Sequence, residues 1–524
     1  MVRALEDLDI TASPGAVGIS TKVLKNCATE LGPVLTDLFN FCLDKGEIPD
    51  EWKVAYVTPL YKGKGSKSDI SNYRPISILP PIAKTFESVL AKRIRHHLEA
   101  NNILSDSQFG FRPKRSCELA LNTMIDEWRE NLDNGNEVVS VFLDLSKAFD
   151  TVDHTLLINK LERYNFSIKS ILLIKNYLSN RSVRVCVNGC LSEKKPLNVG
   201  VPQGSILGPL LFIIYINDLC YLPLVSRLVL FADDTTIFLF GKNLAESLAI
   251  LENELKLISE WLAKNRLLLN ISKTQAMHLS NSKNVDSLTY TIDLNNQKIN
   301  FVTQCKILGV IIDNKLKFSA QISETCKKVN KKTFLLSKSL FLFSDNFKHI
   351  LFKLFIQTYF DYCSTLYIYL STKFDRDRLE VTFYKSINRI LEVNLLRSTE
   401  EERFEKLKKY KILPISYRKF YYFSNFIYKL LLNGKTKLFY KLCEFKKQSC
   451  ENIQTRHLYT QPIFKTNYYK YSFIKISTEF LNRFLSSYIK SCTNNKEKHK
   501  NMSLIKHFTK NAKDLSAKLS SFIT

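Results

Sequence analysis

The sequence predicts a mixed α+β region followed by an all-helical, basic one. Three observations carry that. The apolar period is helical up to about residue 131, then turns β-rich at 137–144, where Val-Val-Ser-Val-Phe-Leu runs together. Asn188-Gly189 separates two short β-prone runs, 182–187 and 191–197, and is a strong two-residue hairpin signal. From Phe318 onward the pattern is helical and rich in lysine.

Taken in order, 21–45 reads as one helix with Val23, Leu24, Cys27, Leu31, Leu35, Leu38 and Cys42 on one face, and Pro49 follows its end. The polar stretch 66–72 reads as a loop. Helices are predicted over 82–100, through Phe86, Leu90, Ile94 and Leu98, and over 116–131. Beyond the strand ending at Asp144, helices fall near 154–164 and 168–179, the first with Asp153 as its N-cap. The segment 209–219 is helical. Arg227 to Phe231 and Thr235 to Phe240 are apolar strands with Ala232-Asp233-Asp234 between them. A long helix over 244–265 and short strands across 267–313 complete the mixed region, and Gly434 marks a break before the tail.

Composition narrows the function. With 45% hydrophobic and 24% charged residues, the 524-residue chain is neither disordered, collagenous nor a disulfide scaffold. A net charge of +26 makes nucleic acid the leading partner, against a basic surface kept for solubility. Residues 401–524 hold 26 Lys and Arg against 8 Asp and Glu, so the C-terminal quarter is the expected phosphate contact. Tyr468-Tyr469-Lys470-Tyr471 in that quarter can stack on bases or line a helix core. Twelve cysteines without paired spacing, and no signal peptide at 1–10, predict reduced thiols in a protein that is not secreted. The longest apolar run, 206–216, is broken by Gly208 and Pro209 and is shorter than the ~20 residues a membrane span needs, so no membrane partner is expected. Six residues separate Cys443 from Cys450, Cys450 from His457, and Cys492 from His499, a mismatch with usual zinc spacing, so zinc is not expected.

The chemistry starts at Asp233-Asp234. Alone, an Asp-Asp pair between two strands is an ordinary turn. Asp144, however, ends the apolar strand before it, and if the two segments share a sheet, Asp144 and Asp233 converge. Such hard oxygen ligands suit Mg²⁺, and two ions ~3.5–4 Å apart can activate a 3′-hydroxyl and stabilise departing pyrophosphate. The alternative is three unrelated solvated acids.

The surroundings of these acids resemble a known family. Phe142-Leu143-Asp144-Leu145-Ser146-Lys147-Ala148-Phe149-Asp150-Thr151-Val152-Asp153 resembles motif A of reverse transcriptases. Gly200-Val201-Pro202-Gln203-Gly204-Ser205-Ile206-Leu207-Gly208-Pro209 resembles motif B, Phe231-Ala232-Asp233-Asp234 motif C, and Asn270-Ile271-Ser272-Lys273-Thr274 motif D. Leu308-Gly309-Val310-Ile311-Ile312-Asp313 resembles the primer grip. Asn72-Tyr73-Arg74-Pro75-Ile76-Ser77 and Gln108-Phe109-Gly110-Phe111-Arg112 resemble the fingers motifs. Order and spacing are most similar to the jockey-type reverse transcriptases of non-LTR retrotransposons, from about Ser13 to Asp313.

The resemblance implies a right-hand polymerase: an N-terminal extension over 1–53, fingers and palm over 54–313 with an antiparallel palm sheet, a helical thumb over 314–433 and a mainly helical basic tail over 434–524. It implies RNA-templated DNA synthesis from dNTPs on a DNA primer or target DNA, with two Mg²⁺ held by Asp144, Asp233 and Asp234, in a ribonucleoprotein of nucleus and cytoplasm. Lys62 and Arg74 match cations that meet the triphosphate. Phe149 matches the steric gate against a ribose 2′-hydroxyl; by itself it reads as a core aromatic. Gln203 and Gly204 would pack beside the nascent base pair, Lys273 would donate a proton to pyrophosphate, and Asp150 would support the site. Val17 stands where the family typically has an Asp. The resemblance leaves no room for the endonuclease that precedes such polymerases, so a partial reading frame is expected, and no RNase H set is found. The rival readings are an intron maturase and a catalytically silent nucleic-acid-binding remnant.

Overall fold

The computed structural model describes residues 1–281, 290–368, 371–433, 436–444 and 475–477. Its centre follows from one apolar segment. Val-Val-Ser-Val-Phe-Leu forms the strand Glu137–Leu143, which lies between Gln275–Leu279 and Asp234–Gly241, with Arg227–Phe231 at the outer edge. All neighbours are antiparallel. Both faces of this sheet are covered, which explains why its strands lack polar alternation. Val139, Val141, Leu143, Ile237, Leu239 and Ala276 enter one core. Val138, Phe238, Met277 and Leu279 enter the other.

The first core is built around the helices Pro81–Ala100, Leu207–Ile216 and Leu244–Lys264. Leu207–Ile216 is apolar all round, and every residue in it except Pro209 is buried. Its start is held by a carboxylate missed in the sequence. Glu87 Oε2 accepts from Ile206 N at 2.6 Å and Leu207 N at 3.3 Å, while Oε1 accepts from Tyr177 Oη at 2.8 Å. A buried acceptor there satisfies orphan N–H groups at the positive end of the helix. The second core takes the helices Cys117–Asp133, Ser319–Ser337 and Lys373–Leu391. Lys441 ties the helix Lys437–Glu444 back onto Cys117–Asp133 through Asp126 and Glu130, each at 2.7 Å.

A second sheet runs Tyr73–Ile78, Val54–Tyr61, Arg181–Val187, the last also pairing Lys195–Leu197. The expected turn is present: Asn188 at φ 50° and Gly189 at φ 82° are both left-handed, as a two-residue hairpin requires. Asp153 caps His154–Arg163 through Leu156 N at 2.8 Å, also as expected.

Two expectations need correcting, and two strands were not expected. The helix read over 21–45 is two, Thr21–Asn26 and Ala28–Lys45, because Cys27 leaves helical geometry at φ −102°, ψ 28°. The strands Val54–Tyr61 and Tyr73–Ile78 were not read from the sequence: their β-branched and aromatic residues favour strand, but each holds a proline, which reads against one, and Pro59 faces Pro75 across the pair. Asp234 is the first residue of its strand, not part of the turn. Gly434, Tyr468 to Tyr471, Cys450, His457, Cys492 and His499 lie outside the described residues, as does the side chain of Cys443. Among the described residues nine cysteines are free, and no helix is long and apolar enough to cross a membrane.

Trp128 is fully buried in the second core and meets Phe238 of the central sheet edge-on at 5.9 Å. We expect Trp128→Ala to cost about 3–5 kcal/mol, read as a lowered denaturation midpoint in urea.

Candidate active site

Phe231 pairs with Asp234, which leaves Ala232 and Asp233 as a two-residue turn at the sheet end, with Ala232 at φ 58°. On the neighbouring strand Leu143 pairs with Thr235, so Asp144, one residue further, stands across from Asp234 at the mouth of that turn. Asp144 is anchored through its backbone. Its carbonyl accepts from Asn270 N at 2.8 Å, and its N–H donates to Thr274 Oγ1 at 3.4 Å.

The three carboxylates feel one another. Burial first, then the charge of Asp144, raises the pKa of Asp233, and Arg74 acts the other way. Asp234 keeps an exposed flank, yet it adjoins Leu121, Met124 and Leu308. Loss of hydration, then Asp233 and Asp144, push its pKa up to about 6.

The cations expected near the acids are distributed as follows. Lys273 Nζ lies 3.9 Å from Asp144 Oδ2, a largely solvated pair of small energetic weight that nonetheless sets an ammonium at the acids. Arg74 lies on Tyr73–Ile78 and its charge reaches Asp233. Lys62 closes the base of its loop, with Nζ donating to the Ser71 carbonyl at 2.7 Å, and its charge reaches Asp69 and Asp150.

Motif B crosses to the second sheet. Ser77 N donates to the Gln203 carbonyl at 2.6 Å. Gly204 sits at φ 111°, and a Cβ there would lie 2.6 Å from the Ser77 carbonyl oxygen, so only glycine fits. Gln203 Nε2 donates to Asp150 Oδ1 at 2.8 Å, which gives Asp150 a linking place between motifs A and B. Phe149 is half-buried, stacked on Phe212 at 4.5 Å and edge-on to Phe111 at 6.4 Å, so it is both a packed aromatic and a wall of this region.

Some residues near the site carried no assigned role in the sequence. Tyr362 Oη donates to the Leu308 carbonyl at 2.6 Å, and its ring covers Gly309. Gln108 is fully buried against the Asp233 turn. A tyrosine some fifty residues downstream gives no local signal; Gln108 lies inside a quoted motif, but its burial, improbable for a glutamine, shows only in the structure. Arg112 from the same motif pairs with Glu99 at 2.9 Å.

Could these acids hold Mg²⁺? Among the described residues no three or more His, Cys, Asp and Glu side chains are already gathered as a metal cage. Asp233 occupies the turn, and Asp234, the first residue of the strand, is exposed beside a small cavity that Ala120, Leu121 and Leu308 also line. Mg²⁺ nevertheless needs only one or two carboxylates, with water and phosphate oxygens completing its octahedron. Asp144 and Asp233 fit that requirement, and their mutual repulsion is what a cation would relieve.

Acidic oxygens thus stand at the ends of adjacent antiparallel strands, with Arg74 and Lys273 near them. Residues 64–312 match the family model for reverse transcriptase (RNA-dependent DNA polymerase). The RNA-directed DNA polymerase from mobile element jockey of Drosophila melanogaster is 28% identical over 323 residues, 60% of this chain and 35% of that protein. The probable RNA-directed DNA polymerase from transposon BS of the same fly is 28% identical over 335 residues, 63% of this chain and 37% of that protein. The chain thus spans little more than a third of the length of these relatives. Among solved structures, apo telomerase from Candida tropicalis is similar at 12% identity and a TM-score of 0.36, over 56% of this chain and 59% of that one. The resemblance to jockey-like reverse transcriptases read from the motifs therefore holds.

The raised pKa of Asp234 has a stability consequence. The folded state holds that proton up to about 6, the unfolded chain only to near the ordinary 3.8, so ionisation weighs against folding above that window. Metal-free Asp234→Asn should therefore melt a few degrees above the wild type at pH 7.5. The difference should close as pH falls from about 6 to ~4, followed by thermal denaturation in chelator.

Proposed function

We propose that the chain is the RNA-directed DNA polymerase region of a jockey-like non-LTR retrotransposon protein. It would extend a DNA 3′-hydroxyl with dNTPs on an RNA template. The observation that carries this is the meeting of Asp144 with Asp233 at adjacent strand ends, inside the region that matches the reverse transcriptase family. In this reading 54–313 are fingers and palm, 1–53 an extension of the fingers, 314–433 the thumb, and the basic tail 434–524 a phosphate contact. A ribonucleoprotein moving between cytoplasm and nucleus follows from the same reading.

Two Mg²⁺ ions, when bound, would supply Lewis acidity at the attacking 3′-oxygen and at the leaving phosphate oxygens. Asp144 and Asp233 would hold them, with Asp234 strengthening the negative field. Arg74, and Lys62 once released from Ser71, would neutralise the triphosphate, the main protein task in phosphoryl transfer. Lys273, already beside Asp144, would give a proton to the departing pyrophosphate. Gly204 would let the backbone approach the new base pair, with Gln203 held by Asp150. Phe149, braced on Phe212, would collide with a ribose 2′-hydroxyl and so admit dNTPs.

Primer extension on an RNA template tests the reading. Wild type should incorporate dNTPs and Asp233→Ala should fall below about 1% of it. Phe149→Val should raise rNTP use relative to dNTP by about 10–100-fold. Absent dNTP incorporation by the wild type would reject the proposal.

A further inference from the structure

The Asp233 turn is gripped from outside its own hairpin. Residues 107–110 run alongside the edge strand Arg227–Phe231: Leu230 N donates to the Ser107 carbonyl at 2.8 Å and Phe109 N to the Leu230 carbonyl at 2.7 Å. Between these two bonds the Gln108 side chain reaches the turn itself. Its Oε1 accepts from Ala232 N at 3.0 Å and from Gly110 N at 2.8 Å. Gly110 completes the grip by closeness, since a Cβ on it would lie 2.3 Å from Ala232 N. Arg112 steadies the segment, with Nη1 donating to the Ser105 carbonyl at 2.6 Å.

Two features say that the acceptor oxygen is what this position needs. Gln108 has no exposed surface, and among the described residues its Nε2 has no hydrogen-bond partner. A buried amide with half its polar capacity unmet is costly, and an apolar side chain of the same length would avoid that cost. What Oε1 provides in return is a partner for the N–H of Ala232, a non-glycine residue held at φ 58°, immediately before Asp233. Such a conformation persists only where its surroundings over-determine it.

We propose that Gln108 is a positioning residue that locks the left-handed Ala232 turn and thereby fixes where Asp233 presents its carboxylate. The catalytic part of this rests on Asp233 serving polymerisation; the grip on the turn does not.

The test compares wild type, Gln108→Met and Gln108→Glu. Gln108→Met removes the acceptor at similar volume, whereas Gln108→Glu keeps an oxygen there but replaces the unpartnered amine by a second, ionisable oxygen, so it is compared at the lowest pH at which the wild type is active, where the buried carboxyl is protonated. Hydrogen–deuterium exchange over peptides spanning 228–236 reads the turn directly. Melting temperature reads global stability, and primer extension gives kcat and the KM for dNTP. Gln108→Met should exchange at least ~10-fold faster at the turn with a melting temperature near wild type, and lose ~10–100-fold in kcat with KM changed less than ~2-fold. Gln108→Glu should retain the slow exchange and most of kcat. Unchanged turn exchange in Gln108→Met, or equal losses in both variants, would overturn the proposal. If Gln108→Met fails to fold, Gln108→Asn, polar but one methylene too short to reach Ala232, is judged by the same readouts. If wild type proves inactive, the polymerase reading fails while exchange still decides whether Gln108 holds the turn.

Discussion

The central sheet must bury both faces and still deliver carboxylates to one of its ends. Glu137–Leu143 and Asp234–Gly241 supply apolar residues to two cores at once, so their register cannot slip without turning Val139 and Val141 out of one core and Val138 out of the other. That register fixes Asp144 opposite the Asp233 turn. The acids gain nothing from each other: burial first, and then their closeness, raises the pKa of Asp233 and Asp234. They are held together by packing behind them, and the strain is kept where a cation and phosphates could use it.

The elements around the turn follow from that constraint. A backbone bent into a left-handed residue beside repelling charges needs outside support, and it comes from distant parts of the chain. Gln108 and Gly110 press on the turn. Asn270 and Thr274 hold the backbone of Asp144. Motif B is set differently: Glu87 fastens the start of its helix, and Ser77 fastens its Gln203-Gly204 bend to the second sheet. Each bond joins segments far apart in sequence, which couples the site to both sheets rather than to one loop.

Much of the fold was readable residue by residue. The strand 137–143, the Asn188-Gly189 turn, the Asp153 cap and the long helix after Leu244 all have local causes, and each appears within a residue or two of its expected place. The strands 54–61 and 73–78 were invisible because Pro59 and Pro75 speak against strand structure locally, and only their pairing outweighs that. The split at Cys27 was invisible for the converse reason: its apolar period runs straight through the break.

The candidate site divides the same way. Motif wording singled out Asp144, Asp233, Asp234, Lys273, Gln203 and Gly204, because chemistry restricts residue type at each. It did not show that burial and its neighbours raise the pKa of Asp234, that Lys62 is engaged by Ser71, or that Phe149 leans on Phe212. Nor did it separate Gln108, a buried acceptor, from Arg112, a structural ion pair, in one short motif. By itself the sequence determined the fold class, the basic charge and which acids are present. The tertiary structure alone decided which groups face which, because direction and distance between segments a hundred residues apart depend on packing that no local pattern encodes.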